Sequence, residues 1–355
     1  MDHEDQPGNW LQLRSGVTSQ FAARCHSLLL VIGHSAAWGM ALFLATMVFL
    51  RIFWFDGALF LIYFNAFTLY AYLPAYACLL WAWKFRRPVL AAVSLVPIVC
   101  QAWLVLPELF TPGDALRQTT AAGQATKNLE PARVRIFYAN VLAVNKQIDP
   151  ILEEIAEADP DIIVLVEFSY PWQRATGRAE FMKKYPYSCK SGGYGGNVNG
   201  IFSRFPLEHR ESIDAQLPRA IAVDVEVGGE TLHLLGLHAP RPVFSSTEPY
   251  FRFWRRCQEV ISELPRPLVV IGDFNATQFS AAYEQLTSGD LRGAHVDRGR
   301  GSAVTWPNRR SMIPPIRIDH ALLSDQVQCL AIVEGRGDGS DHRPLIVDID
   351  IDSNI

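Results

Sequence analysis

Three long runs without a charged side chain dominate the first third of this chain of 355 residues. They occupy positions 27–50, 57–83 and 88–107. A helix of about 20 apolar residues spans the hydrocarbon core of a bilayer, so each run is long enough to cross a membrane. Between positions 26 and 110 only six residues are charged, whereas 62 charged residues lie in the rest of the chain. The sequence therefore predicts three transmembrane helices joined to a domain of ordinary composition, and it excludes a simple cytosolic enzyme.

The basic residues that flank these runs indicate the orientation of the chain. Three spans place the two termini on opposite sides of the membrane. Five basic residues lie before the first run or between the second and third, and three lie on the opposite side. Because basic residues concentrate in cytoplasmic loops, we expect the amino terminus in the cytoplasm and the carboxy-terminal domain outside. The five are Arg14, Arg24, Lys84, Arg86 and Arg87, and the three are Arg51, Arg117 and Lys127.

These features divide the chain into four predicted parts. They are a cytoplasmic segment at 1–26, a three-span anchor at 27–110, a linker rich in Thr, Ala, Gly and Gln at 111–130, and a soluble domain at 131–355. From Glu130 to the end, 24 Lys and Arg stand against 30 Asp and Glu, a net charge of −6. Domains that bind duplex DNA are usually basic, so this charge balance does not favour DNA. The six cysteines form no CxxC pair, and we expect neither a zinc site nor a disulfide framework.

Short strand-like runs alternate with helical spacing in the soluble part. The run at 161–167 is almost wholly apolar, as expected for a strand covered on both faces. Residues 220–227 and 231–238 flank Gly228 and Gly229, which predicts a hairpin. Because strands outnumber helices and hairpins mix with crossovers, we expect an α/β domain of packed sheets rather than a Rossmann fold. Strands are predicted at 134–140, 161–167, 220–227, 231–238, 267–273, 318–324, 328–333 and 345–349, and helices at 147–158 and 250–264.

Carboxylates, amides and imidazoles stand where many of these predicted strands end or begin. A single acid at a strand end is an ordinary solvated residue, but a whole set predicts a site, because a sheet fixes such residues while loops leave them accessible. Hydrolysis of a phosphoester needs a cation to neutralise oxygens, a base for water and donors for the transition state. These residue types supply all three. They are Asn140, Glu167, His238, Asp273, Asn275, Asp319, Asp341 and His342.

Several short motifs in this order make the sequence resemble the endonuclease/exonuclease/phosphatase superfamily, which includes deoxyribonucleases, apurinic endonucleases and inositol polyphosphate 5-phosphatases. They are Asn140, Glu167, Gly-Asp-Phe-Asn at 272–275, Ile-Asp-His at 318–320 and Ser-Asp-His at 340–342. The resemblance covers about 133–350 and implies a four-layer α/β/β/α sandwich. Thr-Trp-Pro at 305–307 resembles bacterial membrane-anchored members. This implies a bacterial inner membrane protein, and the orientation expected from the basic residues would place its catalytic domain in the periplasm.

The resemblance also implies a metal site. Glu167 would be the principal carboxylate ligand of one Mg²⁺ or Mn²⁺, and Asn140 would lie in or beside the coordination shell. Asp341 would lie near the metal. A short ligand set of this kind suits Mg²⁺, which keeps several waters and binds substrate phosphate.

Five further residues receive catalytic roles from the same resemblance. Asp273 would orient or deprotonate the attacking water, and Asn275 would hold the phosphate. His342 would donate to a phosphoryl oxygen, with Asp319 fixing its tautomer. His238 would also contact phosphate, although the sequence identifies no acid that would orient it.

We therefore expect a membrane-anchored, metal-dependent phosphoesterase that hydrolyses a phosphodiester or phosphomonoester by in-line attack of water. A small or lipid-borne substrate is preferred because the spans hold the site near lipid headgroups at high effective concentration. Two alternatives remain open: a membrane-tethered endonuclease or exonuclease that acts on DNA, and a catalytically idle domain that binds a partner or phospholipid. The expected partners are a phosphoester substrate and the lipid bilayer, with no obligate protein partner.

Overall fold

The computed structural model of the protein describes residues 9–110, 132–192, 198–243 and 247–351. The predicted linker at 111–130 lies outside these ranges. The chain forms two compact units. The first contains the chain up to Phe53 together with Ala71–Ala102, and the second contains Trp54–Tyr70 and the chain from Trp103 onward. Trp54–Tyr70, which follow the first apolar helix, therefore belong to the same unit as the carboxy-terminal domain.

The described part of the amino-terminal region consists of five helices. They are α1 (Asn9–Trp54), α2 (Leu59–Ala66), α3 (Thr68–Ala71), α4 (Pro74–Lys84) and α5 (Pro88–Phe110). Two described helices are long and apolar enough to cross a membrane, His26–Trp54 and Pro88–Leu109. The predicted middle span is not one straight helix, because Leu59–Ala66 and Thr68–Lys84 meet at 79°. The described residues thus offer two spans, or three if this bent pair counts as one.

Two six-stranded sheets form the carboxy-terminal domain in the described residues. Their strands are β1 (Ala132–Asn140), β2 (Ile162–Val166), β3 (Tyr187–Lys190), β4 (Gly200–Ser203), β5 (Leu207–His209), β6 (Ala220–Val227), β7 (Glu230–His238), β8 (Leu268–Asp273), β9 (Arg292–Gly293), β10 (Asp319–Leu323), β11 (Val327–Glu334) and β12 (Leu345–Ile351). The strand order is β11-β12-β1-β2-β4-β3 in the first sheet and β5-β6-β7-β8-β10-β9 in the second. One central pair in each sheet, β1–β2 and β7–β8, is parallel, as crossover helices require.

Short helices flank the sheets. They are α6 (Asp149–Ala158), α7 (Tyr170–Thr176), α8 (Glu211–Gln216), α9 (Glu248–Glu263), α10 (Ala281–Thr287) and α11 (Ala294–Asp297), with a 3₁₀ turn at Glu180–Lys184. Helix α6 lies in the crossover between β1 and β2, and α9 lies in the crossover between β7 and β8. The helices predicted from sequence at 147–158 and 250–264 are therefore the two crossover helices.

Alternating side chains of the strands form three hydrophobic clusters. One lies between the two sheets, and one lies on the outer face of each sheet. In β1, Ile136 and Tyr138 pack between the sheets, whereas Phe137 packs outward against α6. In β8, Val269 packs inward and Leu268 packs outward against α9. Successive side chains of a strand face opposite sides, so each strand contributes to two layers of packing. The predicted four-layer α/β/β/α sandwich is confirmed.

The strand register brings the polar strand ends together. Asn140 pairs with Val166, the last residue of β2, and His238 pairs with Asp273. Asp319, the first residue of β10, also pairs with Asp273 because β10 runs antiparallel to β8. The ends of the parallel pairs and the start of β10 therefore present their polar side chains to one another.

Candidate active site

Glu167, directly after β2, lies beside Asn140, the last residue of β1. Glu167 has a φ of 58°, a left-handed conformation that is uncommon outside glycine. Its Oε2 accepts the N–H of Ala143 at 2.9 Å, and its Oε1 lies 3.2 Å from Nδ2 of Asn140. The side-chain oxygen of Asn140 accepts the N–H of Leu142 at 3.0 Å. Strained backbone of this kind clusters at functional sites, and here it holds the carboxylate in a fixed position.

Asp273, the last residue of β8, is buried at the centre of the site. Its Oδ1 accepts the N–H of Asn275 at 2.9 Å, and its Oδ2 accepts from Nδ2 of Asn140 at 3.0 Å. Burial is the main reason that the pKa of Asp273 is raised to about 7; the charge of Asp319 raises it too, while His342 lowers it. Asn275, with a φ of 46°, donates its side-chain amide to the Ala239 carbonyl at 2.9 Å. Asp273 is therefore a carboxyl group whose pKa is close to neutral pH.

His342 belongs to a buried chain of hydrogen bonds. Its Nδ1 lies 2.9 Å from Oδ2 of Asp319, and its Nε2 lies 3.8 Å from Oδ2 of Asp273. Burial lowers the pKa of His342, but the carboxylates of Asp319 and Asp273 outweigh burial and raise it to about 10. His342 is therefore protonated at neutral pH, and both ring nitrogens act as donors.

Tyr138 extends this chain and was missed from the sequence. Its hydroxyl donates to Oδ1 of Asp319 at 2.8 Å, so both oxygens of that carboxylate are satisfied. Burial raises the pKa of Tyr138 well above its usual value, so the hydroxyl keeps its proton. An inward-facing strand tyrosine looks like an ordinary core residue. The available signal was its position two residues before Asn140 on the same strand.

His238 faces the two carboxylates from the end of β7. Its Nε2 lies 3.7 Å from Oε1 of Glu167 and 3.9 Å from Oδ2 of Asp273. Its Nδ1 is buried and has no hydrogen-bond partner in the described part of the chain. The orienting acid that the sequence did not identify is therefore not found on Nδ1 among those residues. Burial lowers the pKa of His238 to about 4, so the site contains one neutral and one protonated imidazole.

Asp341 immediately precedes His342 and presents an unsatisfied oxygen. Its Oδ2 accepts the indole N–H of Trp306 at 3.2 Å. Its Oδ1 is buried and has no hydrogen-bond partner in the ranges that the structure describes. Buried acceptors without a partner are rare in folded proteins. This oxygen is therefore a candidate ligand for a cation.

Arg219 is a second residue that sequence reasoning missed. It precedes β6 with a φ of 81°, and its carbonyl accepts the N–H of His238 at 2.9 Å. Burial lowers the pKa of Arg219, and the charges of Glu167 and Asp273 oppose that shift. A positive side chain thus lies within electrostatic range of the two carboxylates. No motif marks it, since its backbone conformation cannot be read from residue type.

The donor set fits a hard divalent cation. Asp273, Asp319 and His342 each offer a ligand atom, and these atoms lie within 4.8 Å of one another. Asp319 and His342 already bond to each other, so we regard the carboxylates of Glu167 and Asp341 as the better ligands. Oε1 of Glu167 and Oδ2 of Asp273 both face the side-chain nitrogen of Asn140, at 3.2 and 3.0 Å. Carboxylate and amide oxygens are the ligands that Mg²⁺ and Mn²⁺ prefer.

Solved structures share the fold of the carboxy-terminal domain. TDP2 from D. rerio with 14 humanizing mutations superposes with a TM-score of 0.50 at 15% identity, covering 61% of this chain and 99% of that chain. An AP endonuclease from Archaeoglobus fulgidus gives 0.49 at 15% identity, covering 60% and 98%. The 3′ phosphatase NExo from Neisseria, bound to a product DNA hairpin, gives 0.48 at 17% identity, covering 60% and 98%. At such low identity the likeness concerns the fold alone.

Sequence comparison identifies the family. No curated protein sequence matches this chain. The family model described as Endonuclease/Exonuclease/phosphatase family matches residues 134–342. The matched region is more than half of the chain and includes every strand-end residue from Asn140 to His342. The chain therefore belongs to the endonuclease/exonuclease/phosphatase family.

Proposed function

We propose that this chain is a membrane-anchored phosphoester hydrolase that requires Mg²⁺ or Mn²⁺. The observation that carries the proposal is geometric: Oδ2 of Asp273 is faced by Nε2 of His342 at 3.8 Å, by Nε2 of His238 at 3.9 Å and by Nδ2 of Asn140 at 3.0 Å. The raised pKa values of Asp273, about 7, and of His342, about 10, agree with a base and a cationic donor. A base is most effective when its pKa is near the working pH. A preorganised cationic donor stabilises charge that develops on a phosphoryl oxygen. These are the two groups that attack of water on a phosphoester requires.

The proposed roles follow from the contacts. Asp273 takes the proton of the attacking water on Oδ2, while the N–H of Asn275 holds its other oxygen. His342 donates its Nε2–H to a phosphoryl oxygen, and Asp319 fixes the ring through Nδ1. His238 and the amide of Asn275 contact the phosphate from the side of β7.

The metal would be held by Glu167, Asn140 and Asp341. A bound Mg²⁺ or Mn²⁺ supplies neutralisation of the phosphoryl oxygens. Asn140 can serve although its side-chain oxygen accepts the N–H of Leu142, because an amide oxygen has two lone pairs. The buried Oδ1 of Asp341 supports this assignment, since a cation would satisfy it.

We further propose that the substrate is a phosphoester at a lipid surface. The net charge of −6 from Glu130 onward does not favour duplex DNA. The apolar helices raise the effective concentration of headgroup phosphoesters at the site. DNA is the rival substrate, because the neighbour from Neisseria is a 3′ phosphatase bound to product DNA.

The substrate class can be measured with the full-length protein reconstituted in vesicles. We expect kcat/KM for phosphatidylglycerol or phosphatidylethanolamine headgroups to exceed that for plasmid or single-stranded DNA by at least about tenfold, at equal Mg²⁺ and about 0.15 M salt. A Glu167→Gln preparation controls for contaminating hydrolases. Faster cleavage of DNA would replace this proposal by the membrane-tethered nuclease.

We also propose that the chain crosses the membrane three times, with the catalytic domain outside. Asp56, just after α1, and Glu108, near the end of α5, both bond to the catalytic domain. The end of α1 and the end of α5 therefore lie on the same side. Because α5 is proposed to cross once, the chain between them would cross once more, within the bent helix pair that ends at Lys84.

Reporter fusions test this topology. A periplasmic reporter placed after Ile355 should be active, and the same reporter placed within the Lys84–Arg87 loop should be inactive. The basic residues of that loop favour the cytoplasm. Activity at both positions would mean that α5 does not cross, and activity in the loop alone would reverse the orientation.

A further inference from the structure

The segment between the first two apolar helices packs as part of the catalytic domain. This docking segment, residues 56–70, contains α2. Ile62, which is 3% exposed, belongs to the same hydrophobic cluster as Tyr250 and Trp254 of α9 and Phe274 beside Asp273. Apolar composition alone made this segment look like the start of a span. Leu61 and Ile62 are instead buried, and Ile62 packs against the domain that carries the active site.

Asp56 fixes the loop that follows the catalytic aspartate. Its Oδ2 accepts the N–H of Ala281, the first residue of α10, at 2.7 Å. Its Oδ1 accepts from the side-chain amide of Asn65 at 2.7 Å, and both side chains are buried. The loop from Phe274 to Ser280, which carries Asn275, is therefore fastened at its far end by a side chain from outside the sandwich.

Two tyrosines of the docking segment fasten two further active-site loops. The hydroxyl of Tyr63 donates to the carbonyl of Pro242 at 2.8 Å, in the loop that follows His238. The hydroxyl of Tyr70 donates to the carbonyl of Pro315 at 2.8 Å, in the stretch that leads into Asp319. A segment that served only as a tether would need no bonds to all three loops.

A second contact, between Arg317 and Glu108, lies in the same stretch that leads into β10. Arg317, two residues before Asp319, is fully buried, and its Nη2 lies 2.9 Å from Oε2 of Glu108 in α5. Its Nη1 donates to the Gly301 carbonyl at 3.0 Å. A Cβ at Gly301 would lie 1.9 Å from the carbonyl oxygen of Glu108, so only glycine allows this approach. The end of α5 thus packs closely against the stretch that positions Asp319.

We infer that residues 56–70 are a positioning element of the active site: Asp56, Tyr63 and Tyr70 hold the loops that present Asn275, His238 and Asp319. This inference rests on the proposed phosphoesterase function for its kinetic consequence. These three are positioning residues, since they touch the loops and not the reacting atoms. Loss of their bonds lets catalytic groups drift, and misplacement by about 1 Å can cost about 10²-fold in rate.

The test uses the full-length protein in detergent with bis(p-nitrophenyl) phosphate and Mg²⁺. We expect Asp56→Ala, and the double variant Tyr63→Phe with Tyr70→Phe, to lower kcat at least about fivefold with KM changed less than about twofold. Asp56→Asn keeps one acceptor oxygen and should recover part of the rate. Matched controls are Asp325→Ala and the double variant Tyr76→Phe with Tyr187→Phe, because these tyrosine rings are 42% and 40% exposed.

Hydrogen exchange separates this inference from the proposed function. The backbone amides of residues 274–281 should exchange faster in Asp56→Ala than in wild type, and the controls should not differ. Unchanged exchange there, or unchanged kcat in both docking-segment variants, overturns the inference. If wild type hydrolyses no phosphoester while exchange still accelerates, the docking role stands and the proposed chemistry fails. Variants that do not fold are replaced by Asp56→Asn and the single Tyr63→Phe change, which preserve shape.

Discussion

Glu167→Gln and His342→Ala are each expected to lower kcat by about 10²–10³ or more while the protein stays folded. Removal of one preorganised electrostatic group commonly has an effect of this size. Glutamine preserves the shape of Glu167 and removes its charge, which a bound cation needs. His342 contributes the cationic donor, and alanine removes it. Both residues lie outside the strands, Glu167 directly after β2 and His342 before β12.

The measurement is initial rate at saturating substrate, with circular dichroism to verify folding. Glu180→Gln and His233→Ala are matched controls. Glu180 is exposed on the 3₁₀ turn. His233 lies in β7 away from the active site, and its side chain pairs with Asp224 of β6. More than a tenth of wild-type turnover in either site variant would contradict the assignment of the active site.

Asp319→Asn is expected to move the alkaline limb of the pH–rate profile to lower pH by at least about one unit. His342 donates a hydrogen bond only while protonated, so activity should fall as pH rises through its pKa. The Asp319 carboxylate is the largest influence that raises this pKa toward 10. Without that charge, burial lowers the pKa of His342 with less compensation, so the ring loses its proton at lower pH. The rate at pH 8 should therefore fall more than the rate at pH 6.

The profile of kcat/KM between pH 5 and pH 10 tests this expectation. Asp325→Asn is the control, since Asp325 lies in the turn after β10 and pairs with Arg292 at the surface. An Asp319→Asn profile that is scaled down but not shifted would show that Asp319 does not control the protonation of His342.

The location of the proposed catalytic side chains could be predicted because strand ends follow from simple patterns. The apolar run at 161–167 identifies a buried strand, so Glu167 had to lie at its end. The resemblance then placed the two strand pairs in facing sheets, which brings Glu167 and Asp273 together. Tyr138 could not be found in this way, because alternation shows only that it faces inward and not that its hydroxyl meets Asp319.

The membrane region was harder to predict for a physical reason. Hydrophobicity shows that a segment avoids water but not whether lipid or protein covers it. Residues 57–83 satisfy the length rule for one span, yet Leu61 and Ile62 are buried within the protein and the helix bends by 79°. Asn65 and Asp56 were the polar residues that could have indicated this, since their buried contacts are with each other and with Ala281. Short strands such as β3 and β9 could not be predicted, because they contain too few residues to show alternation of apolar and polar side chains.

The first strand of the sandwich has the last one as its neighbour: β1 lies between β2 and β12, and β12 pairs with β1 from Ala132 to Tyr138. During synthesis the apolar helices leave the ribosome first. Strand β1 then has no β12 to pair with until residues 345–351 have been made. An unpaired strand edge is a site for aggregation. A chain that stops before Leu345 would have its first sheet incomplete and the strand after His342 missing. Activity is therefore expected only from chains that are completed to the last strand.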